Sequence, residues 1–475
     1  MKLLTFCLFF ICFFALTAPA QEKWDIKRCV DYAIVNNISV KQADLQSRFS
    51  KLQLEQNKLS QLPNANVQSN AGYRFGRSEN PTTGVLEDNN FFNIGAAFSS
   101  NVSLFNWFSK RFTIEGSRLE HEADLAQIAK VQNDIALNVA AGYLQVLLAK
   151  EQNNIAEVQV AQTAAQLEVT RKQVEAGKLP ELNAAELEAQ LARDSASLVN
   201  AQANVQQLLL QLKAILNMDA GSVFDVATPP VDAIPVENLA DLQPEQVYNL
   251  AVINLPQQKV TELRLRSSHY FVKAARSSMY PTFSAYGNLG SNYVNIKFPK
   301  YVFVPQKPTG ATVLINGIEY PVLAPGANIV GQEVTPFGRQ FQNNFGQNIG
   351  IGVNIPILNG GVLRTAWRRS QLDVRRYELQ REQDNLILKQ DIYKAYNDAI
   401  AAIQRYNANK KTVAATEKAY NFAQKRYNLG LVSTYDIINS QNNLLRARTE
   451  LVYAQYDYVF KLKLLEFYKG QGLKL

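Results

Sequence analysis

Two periodicities divide this chain. Residues 348 to 357, NIGIGVNIPI, alternate Ile349, Ile351, Val353, Ile355 and Ile357 with Asn348, Gly350, Gly352, Asn354 and Pro356. That is the period of a strand with one apolar and one polar face. Three other segments alternate in the same way: Val67 to Phe75, Asn93 to Leu104 and Phe283 to Leu289. Elsewhere the period is helical. From Trp107 to about Ala176, and again from about Val362 to Asn428, no proline interrupts it. At about 1.5 Å per residue each such helix runs roughly 100 Å. A compact globular domain does not hold such elements. The pattern therefore predicts a mainly α chain of long antiparallel helical hairpins carrying four strands.

The chain is also written twice. Gly177 aligns with Gly430 at an offset of 253, and the helices that follow share one heptad register. Leu187, Leu191, Asp194, Leu198, Ala201, Val205, Leu208, Leu212 and Ile215 step by four and three. So do Ser440, Leu444, Ala447, Leu451, Ala454, Tyr458, Lys461, Leu465 and Tyr468. These are coiled-coil seams. Upstream, Pro63 falls against Pro281, and NIGAAFSSNVSLFN (93 to 106) against NIGIGVNIPILN (348 to 359). The first repeat is expected at 21–217, with strands at about 65–76 and 91–105 and coiled-coil helices at about 107–217. A linker rich in Pro and Asp follows at 218–245. The second repeat occupies 246–475, with strands at about 281–291 and 346–358 and helices at about 361–470.

Each strand approaches the nine to eleven residues that a tilted strand needs to cross a bilayer. Aromatics gather at the strand ends, Phe91-Phe92, Phe105 with Trp107-Phe108, and Tyr280, like interface girdles. A small soluble antiparallel sheet would alternate equally well, but it needs helices to cover it. The helices beside these strands already belong to the coiled coils. In hydrocarbon, four strands with open edges are not tolerated, and the smallest transmembrane barrels have about eight. Several chains must then share one barrel, which leaves an aqueous lumen.

Composition supports an exported protein. Residues 1–20 have a lysine, an apolar run and Ala18-Pro19-Ala20, the pattern of a secretory signal peptide. Its removal takes Cys7 and Cys12 and leaves Cys29 alone, so no internal disulfide is expected. The net charge of +8, which falls by one when Lys2 leaves, is spread over mixed-sign helical stretches such as RTAWRRSQLDVRRYELQRE. Such stretches line solvated helix faces, and no nucleic-acid partner is expected. No cofactor is expected either. LEHEADLA around His121 departs from H-E-x-x-H at Leu125, and nothing resembles a phosphate loop or a nucleophile constellation. His121 and His269 read as solvated helix residues, and the chain reads as a conduit without catalysis.

The stretch RYNLGLVSTYDIINSQNNLLRARTELVYAQYDYVFKLKLLEFYKG (426 to 470), its echo GKLPELNAAELEAQLARDSASLVNAQ (177 to 202) and the LNGG turn after the last strand resemble the outer-membrane efflux family, the TolC-like channels. The resemblance implies a homotrimer with a twelve-stranded barrel in outer-membrane lipid of a Gram-negative bacterium and a helical tunnel crossing the periplasm. It implies partners as well: a periplasmic adaptor (membrane fusion) protein and an inner-membrane pump of RND, ABC or MFS type.

Gly177 and Gly430 break continuous helical patterns as C-caps do, and Ser433 or Thr434 suits the cap of the next helix. By resemblance, Gly177, Lys178 and Leu179, with Gly430, Leu431, Val432 and Ser433, are adaptor-contacting tips. Tyr427, Asp436, Asn439 and Asn183 fall at periplasmic gate positions, although Asn439 and Asn183 stand where an acidic pattern would have carboxylates. A lumen-facing Asp436 would form a ring of three carboxylates that attracts cations. A helix-capping Asp436 on the outer wall is the alternative. The loop from about 291 to 347 reads as an ordered extracellular cap or a flexible exposed loop. A periplasmic coiled-coil or adaptor-like protein without a pore is the rival to the channel.

Overall fold

The computed structural model describes residues 23–79, 85–88, 90–228, 237–324 and 326–470, so the signal peptide expected at 1–20 lies outside it. In chain order the elements are α1 (Ile26–Asn36), α2 (Ile38–Leu59), β1 (Asn64–Arg74), β2 (Arg77–Glu79), β3 (Leu86–Asp88), β4 (Phe91–Phe105), α3 (Ser109–Glu175) and α4 (Glu181–Leu216). The second half holds α5 (Pro244–Asn254), α6 (Pro256–Ser277), β5 (Thr282–Val294), β6 (Lys297–Phe303), β7 (Pro308–Ile315), β8 (Ile318–Leu323), β9 (Ala327–Val334), α7 (Phe337–Asn343), β10 (Gly346–Asn354), α8 (Val362–Asn428) and α9 (Thr434–Tyr468).

The internal repeat is visible in these boundaries. Helices α1 and α5 have 11 residues each, and α2 and α6 have 22 each. Both pairs begin 218 residues apart, whereas α3 and α8, of 67 residues each, begin 253 apart. The offset changes between β5 and β10, where the second repeat carries β6 to β9 and α7 in place of the short β2–β3 pair.

The chain forms two compact units. The helical unit comprises residues up to Leu54, Gly116–His269 and from Leu372 onward. Its largest core gathers Cys29, Ala33, Val139, Tyr143, Leu147, Leu209, Leu212, Phe224, Val226 and Tyr456. The heptad seams lie inward: Leu187, Leu212 and Leu465 are fully buried. Part of the expected 218–245 linker is also core. Val226 bridges Trp24 in parallel, Ala227 N–H donates to Trp24 O at 2.9 Å, and the Tyr143 hydroxyl donates to Ala227 O at 2.6 Å. Phe224 and Val226 flank an Asp225 that pairs with Lys150, so this piece of chain has both an apolar anchor and an ionic one.

The second unit comprises Glu55–Glu115 and Tyr270–Gln371 and contains one antiparallel sheet in the order β1-β4-β5-β10. Register sorts its side chains. Val67 faces Phe98, which faces Leu289, and Val102 faces Ala285, which faces Ile351. The opposite face carries the row Asn66, Ser99, Asn288, Asn348 across all four strands. Val67, Phe98, Leu289, Ile349, Ile351 and Val353 are exposed in the single chain. The expected alternation is present, and its apolar face is uncovered. The strands differ from expectation only at their ends: Ile355 and Ile357 fall beyond β10. Strands β1 and β10 are the outer edges.

The long second loop carries secondary structure of its own. β6 pairs with β9, and β7 pairs with β8 across Asn316-Gly317, both left-handed as a two-residue hairpin turn requires. Gln340 of α7 ties this region to the sheet. Its amide donates to Val294 O at 2.8 Å, and its carbonyl accepts from Val294 N–H at 3.0 Å.

The passage from strand to long helix needs two consecutive left-handed residues in both repeats. In the second they are Gly360 (φ 63) and Gly361 (φ 78), as the LNGG turn suggests. In the first they are Trp107 (φ 52) and Phe108 (φ 64), at the same offset of 253. Aromatic residues hold this conformation because their rings are anchored. Trp107 Nε1 donates to Pro281 O at 2.7 Å, and its ring lies 5.2 Å from that of Tyr280. Phe108 meets Phe105 edge-on. A Cβ at Gly360 or Gly361 would meet nothing within 4 Å, so substitution there costs backbone strain alone. Gly360→Ala and Gly361→Ala are expected to destabilise by about 1–2 kcal/mol each. Gly287→Ala, in open space at an ordinary strand position, serves as the control. Thermal melting of the detergent-extracted protein checks this, and equal midpoints for all three would refute it.

Candidate functional site

The two helical hairpin turns are built alike. At the end of α3, Gly177 (φ 68) donates its N–H to Val174 O at 2.9 Å, and Lys178 donates to Gln173 O at 2.9 Å. At the end of α8, Gly430 (φ 73) donates to Tyr427 O at 2.8 Å, and Leu431 donates to Arg426 O at 2.9 Å. Both are Schellman caps, which need a left-handed residue just past the helix, so Gly177 and Gly430 act as the spacing suggests.

The turns then diverge. Helix α4 starts after Pro180, which has no side-chain cap, whereas α9 starts with a complete capping box. Between the two candidate caps, the residue used is Ser433. Its hydroxyl accepts from Asp436 N–H at 3.2 Å, and Asp436 Oδ2 accepts from Ser433 N–H at 3.1 Å and from Ser433 Oγ at 2.7 Å. Thr434 is buried instead. Its hydroxyl and that of Thr170 lie 3.4 and 3.1 Å from the Tyr427 hydroxyl. Tyr427 is thus buried and connects α3, α8 and α9.

The remaining tip residues are on the surface. Lys178, Leu431, Ser433, Asp436 and Asn439 are exposed, and Leu179, Val432 and Asn183 are half-buried. Leu429, Leu431 and Tyr435 present apolar side chains to solvent around Gly430. Arg171 and Glu188, 2.6 Å apart, join α3 and α4 behind the first turn.

Hydrogen bonds from the Ser433 hydroxyl and N–H, with Arg426 nearby, hold the Asp436 carboxyl below its ordinary value. This opposes the upward shift that a ring of three carboxylates would cause. Within one chain, Asp436 serves in the capping box of α9.

Sequence reasoning passed over one cluster. Asp194, counted above only as a seam position, is buried and accepts from Thr163 Oγ1 at 2.6 Å and Gln190 Nε2 at 2.7 Å. Gln441 Nε2 of α9 donates to Thr163 Oγ1 at 3.0 Å. The signal was available, since a carboxylate at a heptad seam needs dedicated partners. His121 departs from its reading as a solvated residue: it is half-buried, with Nδ1 3.2 Å from Ser50 Oγ. Among the described residues no group of three or more His, Cys, Asp and Glu side chains could hold a metal ion, and no helix is long and apolar enough to cross a membrane.

The Asp436 cap yields a pH-dependent prediction. A depressed folded-state value means that the contribution is present above the ordinary value near 3.8 and is lost as pH falls through the lowered one. Ser433→Ala is expected to destabilise the tip by about 1 kcal/mol. Asp436→Asn is expected to flatten the acid limb of tip opening, read by hydrogen exchange at residues 431–440. Identical acid limbs in wild type and Asp436→Asn would contradict the cap.

Comparison with known proteins agrees with this architecture. The family model described as "Outer membrane efflux protein" matches residues 30–218 and 326–471. The outer membrane efflux protein BepC of Brucella suis biovar 1 (strain 1330) is 24% identical over 361 residues, covering 76% of this chain and 68% of BepC. The outer membrane protein TolC of Escherichia coli (strain K12) is 22% identical over 333 residues, covering 69% of this chain and 59% of TolC. Among solved structures, CusC superposes with a TM-score of 0.74 at 16% identity over 96% of both chains. The outer membrane protein VceC from Vibrio cholerae gives 0.69 at 16% identity, over 94% of this chain and 97% of that one. The structural likenesses are likenesses of fold, while the family match reaches into both repeats and includes both hairpin turns and the last strand. The chain belongs to the outer membrane efflux protein family, a family of transport proteins rather than enzymes.

Proposed function

We propose that three copies of this chain form an outer-membrane export channel, each giving four strands to a twelve-stranded barrel, with the helical hairpins extending it through the periplasm. The observation that carries this reading is the β1-β4-β5-β10 sheet, which has two unpaired edges and an uncovered apolar face. Unpaired edges are tolerated neither in hydrocarbon nor left open in water, and they are resolved when β10 of one copy pairs with β1 of the next, while lipid covers the apolar face. The polar row of Asn66, Ser99, Asn288 and Asn348 then lines a wet lumen. Family membership supports the role of conduit.

Substrates would enter from an inner-membrane pump of RND, ABC or MFS type, coupled by a periplasmic adaptor. The adaptor would meet the two Schellman turns, Gly177-Lys178-Leu179 and Gly430-Leu431-Val432-Ser433. The exposed Leu429, Leu431 and Tyr435 favour this, since the second turn offers an apolar contact. Tyr427, Asp436, Asn439 and Asn183 would form the gate. Buried Tyr427 would hold the resting closure by joining three helices through Thr170 and Thr434. Opening would have to break that junction, and tip helices with few buried contacts suit such movement.

Planar-bilayer recording of the purified mature protein tests this. A stable conductance, blocked by multivalent cations in wild type and less in Asp436→Asn, is expected. Equal block in both would remove the carboxylate ring and leave Asp436 as a cap. Absence of any conductance, including after Tyr427→Phe, would remove the channel.

A further inference from the structure

The internal repeat supplies a template for a contact that one chain cannot make by itself. Helix α6 of the second repeat packs against α3 of the first. Ser267 Oγ donates to Gly116 O at 2.8 Å, and Arg264 reaches Asp124 at 3.2 Å and Glu120 at 3.6 Å. Around these contacts Leu263 of α6 and Leu119 and Ala126 of α3 are buried. By the repeat offsets, the counterpart of α6 is α2 and the counterpart of α3 is α8. A helix from the first repeat should therefore rest on the long helix of a preceding second repeat. Among the described residues the second repeat follows the first instead.

The counterpart surfaces are open and apolar. Ser267 is 1% exposed, whereas Phe49, which stands in its place on α2, is 68% exposed. Leu119 is 1% exposed, whereas Leu372, in its place on α8, is 70% exposed. On α2 the exposed positions Ile38, Leu45 and Leu52 recur every seven residues, with Phe49 between the last two. On α8 Leu372, Leu379 and Leu386 do the same. The other face of α2 is already occupied by Val40, Ala43, Ser47 and Leu54, which are buried within the chain. Two unpartnered heptad stripes of matching period, on helices whose internal counterparts touch, identify each other as partners.

We infer that α2 of one copy packs antiparallel on α8 of a second copy of this chain, with Leu45, Phe49 and Leu52 seated against Leu372, Leu379 and Leu386. Chain order agrees with this pairing, because β1 follows α2 and β10 precedes α8. The inference rests on the assembly proposed above and adds the residues of the joint and its chemistry. The joint inside the chain uses small residues and an Arg264 clamp on two carboxylates. In the joint between copies the clamp is gone: Gln46 replaces Arg264, and Tyr377 and Asp373 replace Asp124 and Glu120. What remains is apolar burial, so this joint should be nearly indifferent to salt, unlike one built on exposed ion pairs.

Two differently tagged versions of the mature chain, one Leu45→Cys and one Leu379→Cys, are co-expressed and treated in outer membranes with a short bismaleimide. The native Cys29 is buried and should not compete. The expected result is a covalent product carrying both tags, absent from either single variant and undiminished at about 1 M salt, where exposed charges are screened. Native mass of the detergent-extracted protein is measured alongside. A three-copy mass without the mixed product would overturn the α2 and α8 joint while leaving the assembly intact. A one-copy mass without the product would overturn both. As a second probe, Leu45→Glu with Phe49→Glu changes only side chains that are exposed in the single chain. It should therefore keep the helical content while most of the protein shifts to one-copy mass. Three-copy mass retained in that variant would also overturn the joint.

Discussion

Backbone hydrogen bonding at the two edges of one four-stranded sheet is the constraint on which the rest depends. Each residue along β1 and β10 carries an N–H and a C=O, and on the outer side of these strands the described residues supply no ladder for them. In water such edges recruit other chains, and in hydrocarbon each unpaired group costs several kcal/mol. The strands are also too few to close on themselves. In the assembly proposed above, sheet edges and uncovered apolar residues together make the chain a fraction of a larger object, with lipid outside and water within.

Duplication explains how so simple a fraction is made. Each repeat supplies a short helix, a longer one, two strands, a 67-residue helix and a returning helix. The junction inside the chain, where α6 meets α3 and β4 meets β5, rehearses the junction expected between chains. The copies have then diverged in the ways physics permits. The strand-to-helix turn keeps its left-handed pair, with glycines in one repeat and ring-anchored Trp107 and Phe108 in the other. The hairpin tip keeps its Schellman cap, while the next helix begins at Pro180 in one repeat and at a Ser433–Asp436 box in the other. The second tip is therefore tied more tightly, and Tyr427 adds a buried junction that the first lacks.

Much of this was legible in the sequence because period and punctuation are local signals. Alternation at 348 to 357 marked the polar and apolar faces, the two heptad runs marked the buried seams, and Gly177 and Gly430 marked the turns. What escaped depended on partners distant in the chain. Trp107 and Phe108 read as an interface girdle, and nothing local says that a tryptophan will sit at φ 52. Asp194 read as one seam position among nine, although its carboxylate gathers Thr163, Gln190 and, through Thr163, Gln441. Residues 224 to 227 read as linker because Pro and Asp dominate that stretch, yet Trp24 supplies them with a strand-like partner. At the tip, the burial of the Tyr427 ring could not be read from spacing alone.

The central claim is that the apolar face of the sheet meets lipid and the polar face meets water. Spin labels placed one at a time from Asn348 to Val353 in the bilayer-reconstituted protein test it most directly, through collision with oxygen, which partitions into lipid, and with a water-soluble nickel chelate. The account predicts a period of two: labels at 349, 351 and 353 should meet oxygen, and labels at 348, 350 and 352 should meet nickel. Labels that all meet nickel equally would mean that the sheet never enters the membrane, and the channel would fall with it.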